Sequence, residues 1–210
     1  MQGQALIEEL SVGDDVRVLD GGTQEIRWIG SHKVNTAVLA ANPKLYPVRI
    51  RAGALGSGLP EQDLLVSPQH RVSCAFRHCA KRMFGTQEVL IPAKKLLGLD
   101  GIELADDVQE VECYHIFFDA HQVTFSNGGP TESLFTGVEA LKSVSPEARA
   151  EIETLFPQIC APDFKAQPAR FIPDKGKLMK RPVERHQKNR MPLHSIARAA
   201  ASAGEARIGM

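Results

Sequence analysis

Histidine is the side chain best suited to moving protons near neutral pH, and His70 stands where the local sequence should hold it still. Leu64, Leu65 and Val66 form a brief apolar run before a Ser-Pro turn signal, the pattern of a short buried strand. Pro68 fixes its own φ and pushes Ser67 toward an extended conformation, so the chain must bend there. His70 therefore emerges at a defined corner, a placement that suits proton transfer to an amide or ester. A structural histidine satisfied by a backbone carbonyl fits the same residues. A second histidine, His121, follows Asp119 by two positions, which places both on one face of an unbroken strand. His70, Cys74, His78 and Cys79 are zinc-ligand types, and positions 70, 74 and 78 would share a face of a continuous element. Their spacing matches no standard zinc module, so neither a metal nor an organic cofactor is expected.

The elements that must position these residues read mainly as strands. Val16 and Val18 alternate with Asp15 and Arg17, and Asp20-Gly21-Gly22 then supplies a tight hairpin turn. Gln24 to Val34 is expected to be the returning strand, with Ile26, Trp28 and Gly30 on one face and Trp28 as a core anchor. Residues 35–46 read as a connector, and residues 47–51 alternate again. The glycines at 53, 56 and 58 have neither dinucleotide nor P-loop spacing. Residues 88–91 form a further strand, and Pro92 opens a short helix reaching Leu97. Val108 to Ser126 reads as one long central strand ending at the turn Asn127-Gly128. Ser145-Pro146-Glu147 provides an N-cap, a first-position proline and a first-turn acid for a helix over 146–156.

A composition of 43% hydrophobic and 24% charged residues is that of a globular protein with a core. No apolar run reaches the roughly twenty residues of a membrane-spanning helix, so no membrane partner is expected. The N-terminus lacks the basic start and apolar core of a signal peptide. Cys74, Cys79, Cys113 and Cys160 are too few and too irregular for a disulfide framework and read as free thiols. The formal net charge of zero hides an asymmetry. Between residues 165 and 190 nine Lys/Arg face only Asp174 and Glu184, a net of +7 that the rest of the chain balances. Prolines scattered among these basic residues leave little apolar surface to bury. The expected organisation is one domain over 1–157 and a largely disordered basic tail over 158–210.

Taken in order, a set of stretches resembles the bacterial Hint (Hedgehog/intein) domains. They are Ile7-Glu8-Glu9-Leu10-Ser11-Val12-Gly13-Asp14, Gln24 to Gly30, Pro47 to Leu55, and Leu65-Val66-Ser67-Pro68-Gln69-His70-Arg71-Val72. Glu88 to Lys94, Tyr114-His115-Ile116-Phe117-Phe118-Asp119-Ala120-His121 and Glu132-Ser133 complete the set, which spans about residues 3–157. The resemblance implies an all-β horseshoe of two intertwined β subdomains, followed here by the short helix and the basic tail. It also implies self-processing, in which a Cys or Ser heading the domain attacks the preceding carbonyl and converts an amide to a thioester or ester. His70 matches the family histidine that protonates the departing amide nitrogen, with Ser67 in the place of a hydroxyl that orients the scissile bond. His121 falls where inteins carry a second histidine that polarises a C-terminal cleavage site.

Two departures shape the expectation. Gly3 to Leu10 matches the stretch that follows the family's first strand, so the resemblance implies that the domain over 1–157 lacks that strand and that the nucleophile would stand about ten residues upstream of Met1. None of the four cysteines begins the domain, and this chain by itself is expected to be inactive. The intein His-Asn pair after the turn is replaced by Gly129-Pro130-Thr131-Glu132, which disfavours splicing. The substrate is then the protein's own polypeptide. The alternative is a catalytically degenerate scaffold whose basic tail docks an acidic partner, with nucleic acid not expected. The compartment would be cytoplasmic for a complete chain and extracytoplasmic for a piece of a longer exported protein.

Overall fold

The computed structural model describes residues 3–75, 84–136 and 144–173, with Val183, Glu184, Lys188 and Leu193 beyond them. The architecture is all-β, with two α-helices among the described residues. Strands β1 (Asp15–Arg17) and β2 (Thr23–Glu25) pair antiparallel across the expected glycine turn, where Gly21 and Gly22 adopt φ of +98° and +73°. The returning strand does not run unbroken to Val34. After Glu25 the chain exchanges partners: Ile26 still bonds back to Asp14, whereas the Arg27 amide donates to Phe117. A separate strand β3 (Trp28–Val34) then pairs in full register with β9 (Val111–Phe117).

Asn35 begins a short helix rather than a plain connector. Its side chain accepts from the Val38 amide and caps α1 (Thr36–Ala41). Strands β4 (Val48–Ile50), β5 (Leu64–Val66) and β8 (Ile102–Leu104) make a three-stranded sheet with β4 central. Strands β6 (Arg71–Cys74), β7 (Val89–Pro92), β10 (Val123–Ser126) and β11 (Gly129–Glu132) make a four-stranded sheet in the order β10-β11-β6-β7. The helix expected after Pro92 is a single 3-10 turn over Ala93–Lys95.

The long strand expected over 108–126 is in fact two, because β9 belongs with β3 and β10 belongs with β11. Residues 118–122 carry the chain between these partners. Phe118 turns into the core, Asp119 is exposed beside Arg27, and the His121 side chain is buried. The two residues expected on one strand face thus occupy opposite environments. The Asn127-Gly128 turn forms as read, with both residues at positive φ.

Two cores hold these layers. Val48, Ile50, Val72, Val89, Ile91 and Leu96 join the two larger sheets, and Val183 and Leu193 are buried in the same cluster. The second core surrounds Trp28, Phe117 and Leu134 and is closed by Ile152 and Phe156. Ile152 belongs to α2 (Pro146–Leu155), whose N-cap is Ser145 accepting from the Ala148 amide, as the sequence suggests. Trp28 anchors this core and donates its indole N–H to Glu151 at 2.8 Å.

Residues 161–173 open the basic stretch. They include an ordered strap: the Leu90 amide donates to the Phe171 carbonyl, and Arg170 bonds both Glu88 and Asp20. Further on, the Ala75 amide donates to the Leu193 carbonyl. Most of the remaining basic stretch lies outside the described residues.

Candidate active site

His70 sits at a clamped corner. Its amide donates to the Ser67 carbonyl at 3.0 Å, its carbonyl accepts from Ala93 at 2.8 Å, and the Pro68 carbonyl accepts from Lys94 at 3.0 Å. The residue as a whole is only partly buried, yet its Nε2 is fully shielded. Ser67 is joined to this corner through its backbone carbonyl. The corner leads directly into β6, and antiparallel pairing brings the end of β11 alongside: Thr131 faces Val72, so Glu132 lies next to Arg71.

Glu132 is the hub. Its Oε1 accepts from the Arg71 amide at 2.8 Å, and its Oε2 accepts from Arg71 Nη1 at 2.9 Å. His121, just ahead of β10, places Nε2 3.4 Å from the same Oε2, long for a well-formed hydrogen bond. The His121 and Glu132 side chains are 3% and 7% exposed, so these charges and dipoles act with little screening. Burial works to raise the Glu132 carboxyl, but His121, His70 and Arg71 outweigh it and hold the group below the usual carboxylate range. Phe135 lies beneath the cluster, with its ring centroid 4.9 Å from that of His121 and 5.8 Å from the Arg71 guanidinium carbon.

The His121 tautomer is set from the other side. Nδ1 accepts the Ala169 N–H at 3.0 Å, which leaves Nε2 to carry the ring proton toward Glu132. His70 is pushed below the ordinary histidine range by burial, with Arg71 and His121 acting in the same direction and Glu132 opposing them. His115, from β9, is pushed down to about 4 by burial, reinforced by His70 and His32. The rings of His32 and His115 are stacked at 5.7 Å. The Glu132 carboxylate thus lies beside His121, and its charge acts on His70 and His115 as well.

Five buried polar atoms lack a hydrogen-bond partner among the described residues: His70 Nε2, Arg71 Nε, Ser73 Oγ, His115 Nε2 and His121 Nε2. All five belong to this cluster or to the strand that leaves it. Buried polar atoms elsewhere are paired as a rule, so the concentration of open donors and acceptors sets this cluster apart from the rest of the described interior.

Of the zinc-type grouping only His70 and Cys74 are among the described residues. Cys74 packs in the apolar core, where burial pushes its thiol far up. His78 and Cys79 lie outside the described residues. Among the described residues no three His, Cys, Asp or Glu side chains are placed to share a metal.

Of the three residues singled out from sequence, His121 faces Glu132, His70 is joined to the same carboxylate through its neighbour Arg71, and Ser67 flanks His70 on the clamped turn. Glu132, Arg71 and His115 were not singled out. Counting back from the Asn127-Gly128 turn would have found Glu132, because a hairpin pairing Ser126 with Gly129 must pair Val123 with Glu132, two residues from His121.

Fold and site together describe an all-β domain with a buried histidine–carboxylate cluster at one end of its four-stranded sheet. The chain belongs to the Hint domain family, whose sequence model matches residues 1–138. No curated protein and no solved structure matches it.

Proposed function

We propose that this chain is a Hint domain of the bacterial self-processing type, with its own polypeptide as substrate and His70 as the proton carrier. The concentration of unpartnered histidine nitrogens around Glu132 is the observation that supports this reading most. An imidazole held below its ordinary range is neutral near pH 7, free to accept a proton and quick to release it. In an acyl shift the attacking thiol or hydroxyl forms a bond to the carbonyl carbon and loses its proton. The C–N bond then breaks, and the departing nitrogen must gain a proton. His70 can take the first proton and deliver the second, while the Glu132 carboxylate stabilises the transient imidazolium. His121 faces the same carboxylate with Nε2 at 3.4 Å, and Ser67 flanks the approach to His70, where its hydroxyl would orient the scissile bond.

The attacking group comes from the head of the domain and not from the described thiols. Cys74 is sealed in the core. Cys113 is half-buried with its thiol pushed up by burial, and Cys160 is exposed on the 3-10 turn after α2. The reading is tested by placing a reporter segment ahead of the domain with Cys at the junction. Hydroxylamine or dithiothreitol should then release the reporter, and a junction Ala should abolish release. Release that is equal with Cys and Ala at the junction would count against the proposal.

A further inference from the structure

The family match ends at residue 138, yet one contact to the cluster comes from well beyond it. Ala169 donates its N–H to His121 Nδ1 at 3.0 Å. That amide is held by the two residues that follow it. Arg170 donates Nε to Glu88 Oε2 at 2.7 Å and Nη1 to the Ala169 carbonyl at 2.8 Å, and it also pairs with Asp20. The Phe171 carbonyl accepts from Leu90 at 2.9 Å on the free edge of β7, and the Phe171 ring packs on Phe84 at 5.6 Å. A short strap is thus pinned to the turn after β1, to the start of β7 and to the edge of the four-stranded sheet. Its pinning residues, Arg170 and Phe171, follow directly on the amide that meets His121.

We infer that residues 169–171 are positioning residues for the cluster: the strap fixes His121 as the Nε2–H tautomer, aimed at Glu132, and the site is incomplete without it. An imidazole whose Nδ1 accepts a fixed N–H cannot carry a proton there without setting two donors face to face. His121 therefore presents its single N–H to the carboxylate that steadies His70. Arg170 acts through Ala169 and touches neither histidine. The consequence for catalysis rests on the self-processing reading, but the placement of the proton does not.

The test is ring nitrogen NMR of the full-length chain at pH 7.5, with the His121 signals assigned by their loss in His121→Gln. The wild type should show protonated Nε2 and unprotonated Nδ1. Ala169→Pro removes the N–H and should let the Nδ1–H form appear. Ala169→Ser keeps the N–H and should retain the wild-type pattern, as a purely structural role for the strap would not require. Arg170→Met should also mix the tautomers. In the reporter fusion with a junction Cys, Ala169→Pro should slow cleavage by roughly tenfold or more, as misdirected tautomers do elsewhere. A wild-type His121 protonated on Nδ1, or a tautomer unchanged in Ala169→Pro, overturns the inference without reference to any variant's activity. Correct tautomers in a fusion that never cleaves would support the strap's role and refute the self-processing reading.

Discussion

The Glu132 carboxylate grips both the main-chain N–H and the guanidinium of Arg71, the residue next to His70 in the chain. A single carboxylate thereby fixes the direction in which β6 leaves the His70 corner and supplies the negative charge that the imidazoles face. The arrangement ties the stability of the sheet end to the chemistry of the cluster.

Glu132→Gln keeps the shape and removes the charge, leaving the Arg71 guanidinium, 22% exposed, without its counter-ion. Breaking a largely buried pair in this way should cost about 2–3 kcal/mol, read as a shift in urea midpoint. The pH dependence has a definite sign. The folded carboxyl lies below its ordinary value of 4.5, so its contribution is complete above that pH and is lost as pH falls through the depressed value. The acid limb of wild-type unfolding should therefore be flattened in the variant. An unchanged acid limb would remove Glu132 from its central place.

His115 adds to the acid loss in the same sense, from a higher pH. Its ordinary value is 6.5 and the folded value about 4, so the unfolded chain takes up the proton first. Stability should fall as pH drops from about 6.5 to about 4, by about 3 kcal/mol from this group. His70 adds to the slope in the same direction. His115→Gln should remove part of the loss while leaving the stability near pH 8 comparatively little changed. A pH profile identical to wild type would show that His115 is not held neutral by burial.

Gly30 sits opposite His115 in the β3–β9 register. A Cβ there would lie 2.5 Å from two atoms of the Trp28 indole, which folds over this position. Gly30→Ala should push the ring aside, weaken the Trp28–Glu151 bond and cost about 2 kcal/mol. Trp28 is the sole tryptophan, so its emission reports the displacement directly. In a Trp28→Phe background the same substitution should cost less, because the clashing outer ring atoms are gone. Equal costs in the two backgrounds would mean that the indole is not what excludes a side chain.

Local chemistry in the sequence shows several elements plainly. Asn127-Gly128 and Asp20-Gly21-Gly22 turn where the backbone needs positive φ, Ser145 caps its helix, and Trp28 anchors a core. His70 occupies the rigid corner that Ser67-Pro68 suggests. What stayed hidden depends on long-range partners. No local pattern tells residues 26–27 to leave β1 for β9, or residues 118–122 to leave β3 for β11, because alternation is the same on either side of the exchange. Glu132 looks like an ordinary hairpin residue until its register is counted against His121. The strap around Ala169 has no apolar periodicity at all. It is held by one arginine between two carboxylates and by main-chain bonds at a sheet edge, none of which leaves a mark in composition.

The most direct measurement is the rate of reporter release from the junction-Cys fusion, followed by intact mass with and without His70→Ala. A proton carrier at this position accounts for roughly a hundredfold or more in rate, so release should become undetectably slow in the variant while its fold, read from Trp28 emission, is kept. Equal rates with and without the His70 imidazole would contradict the account.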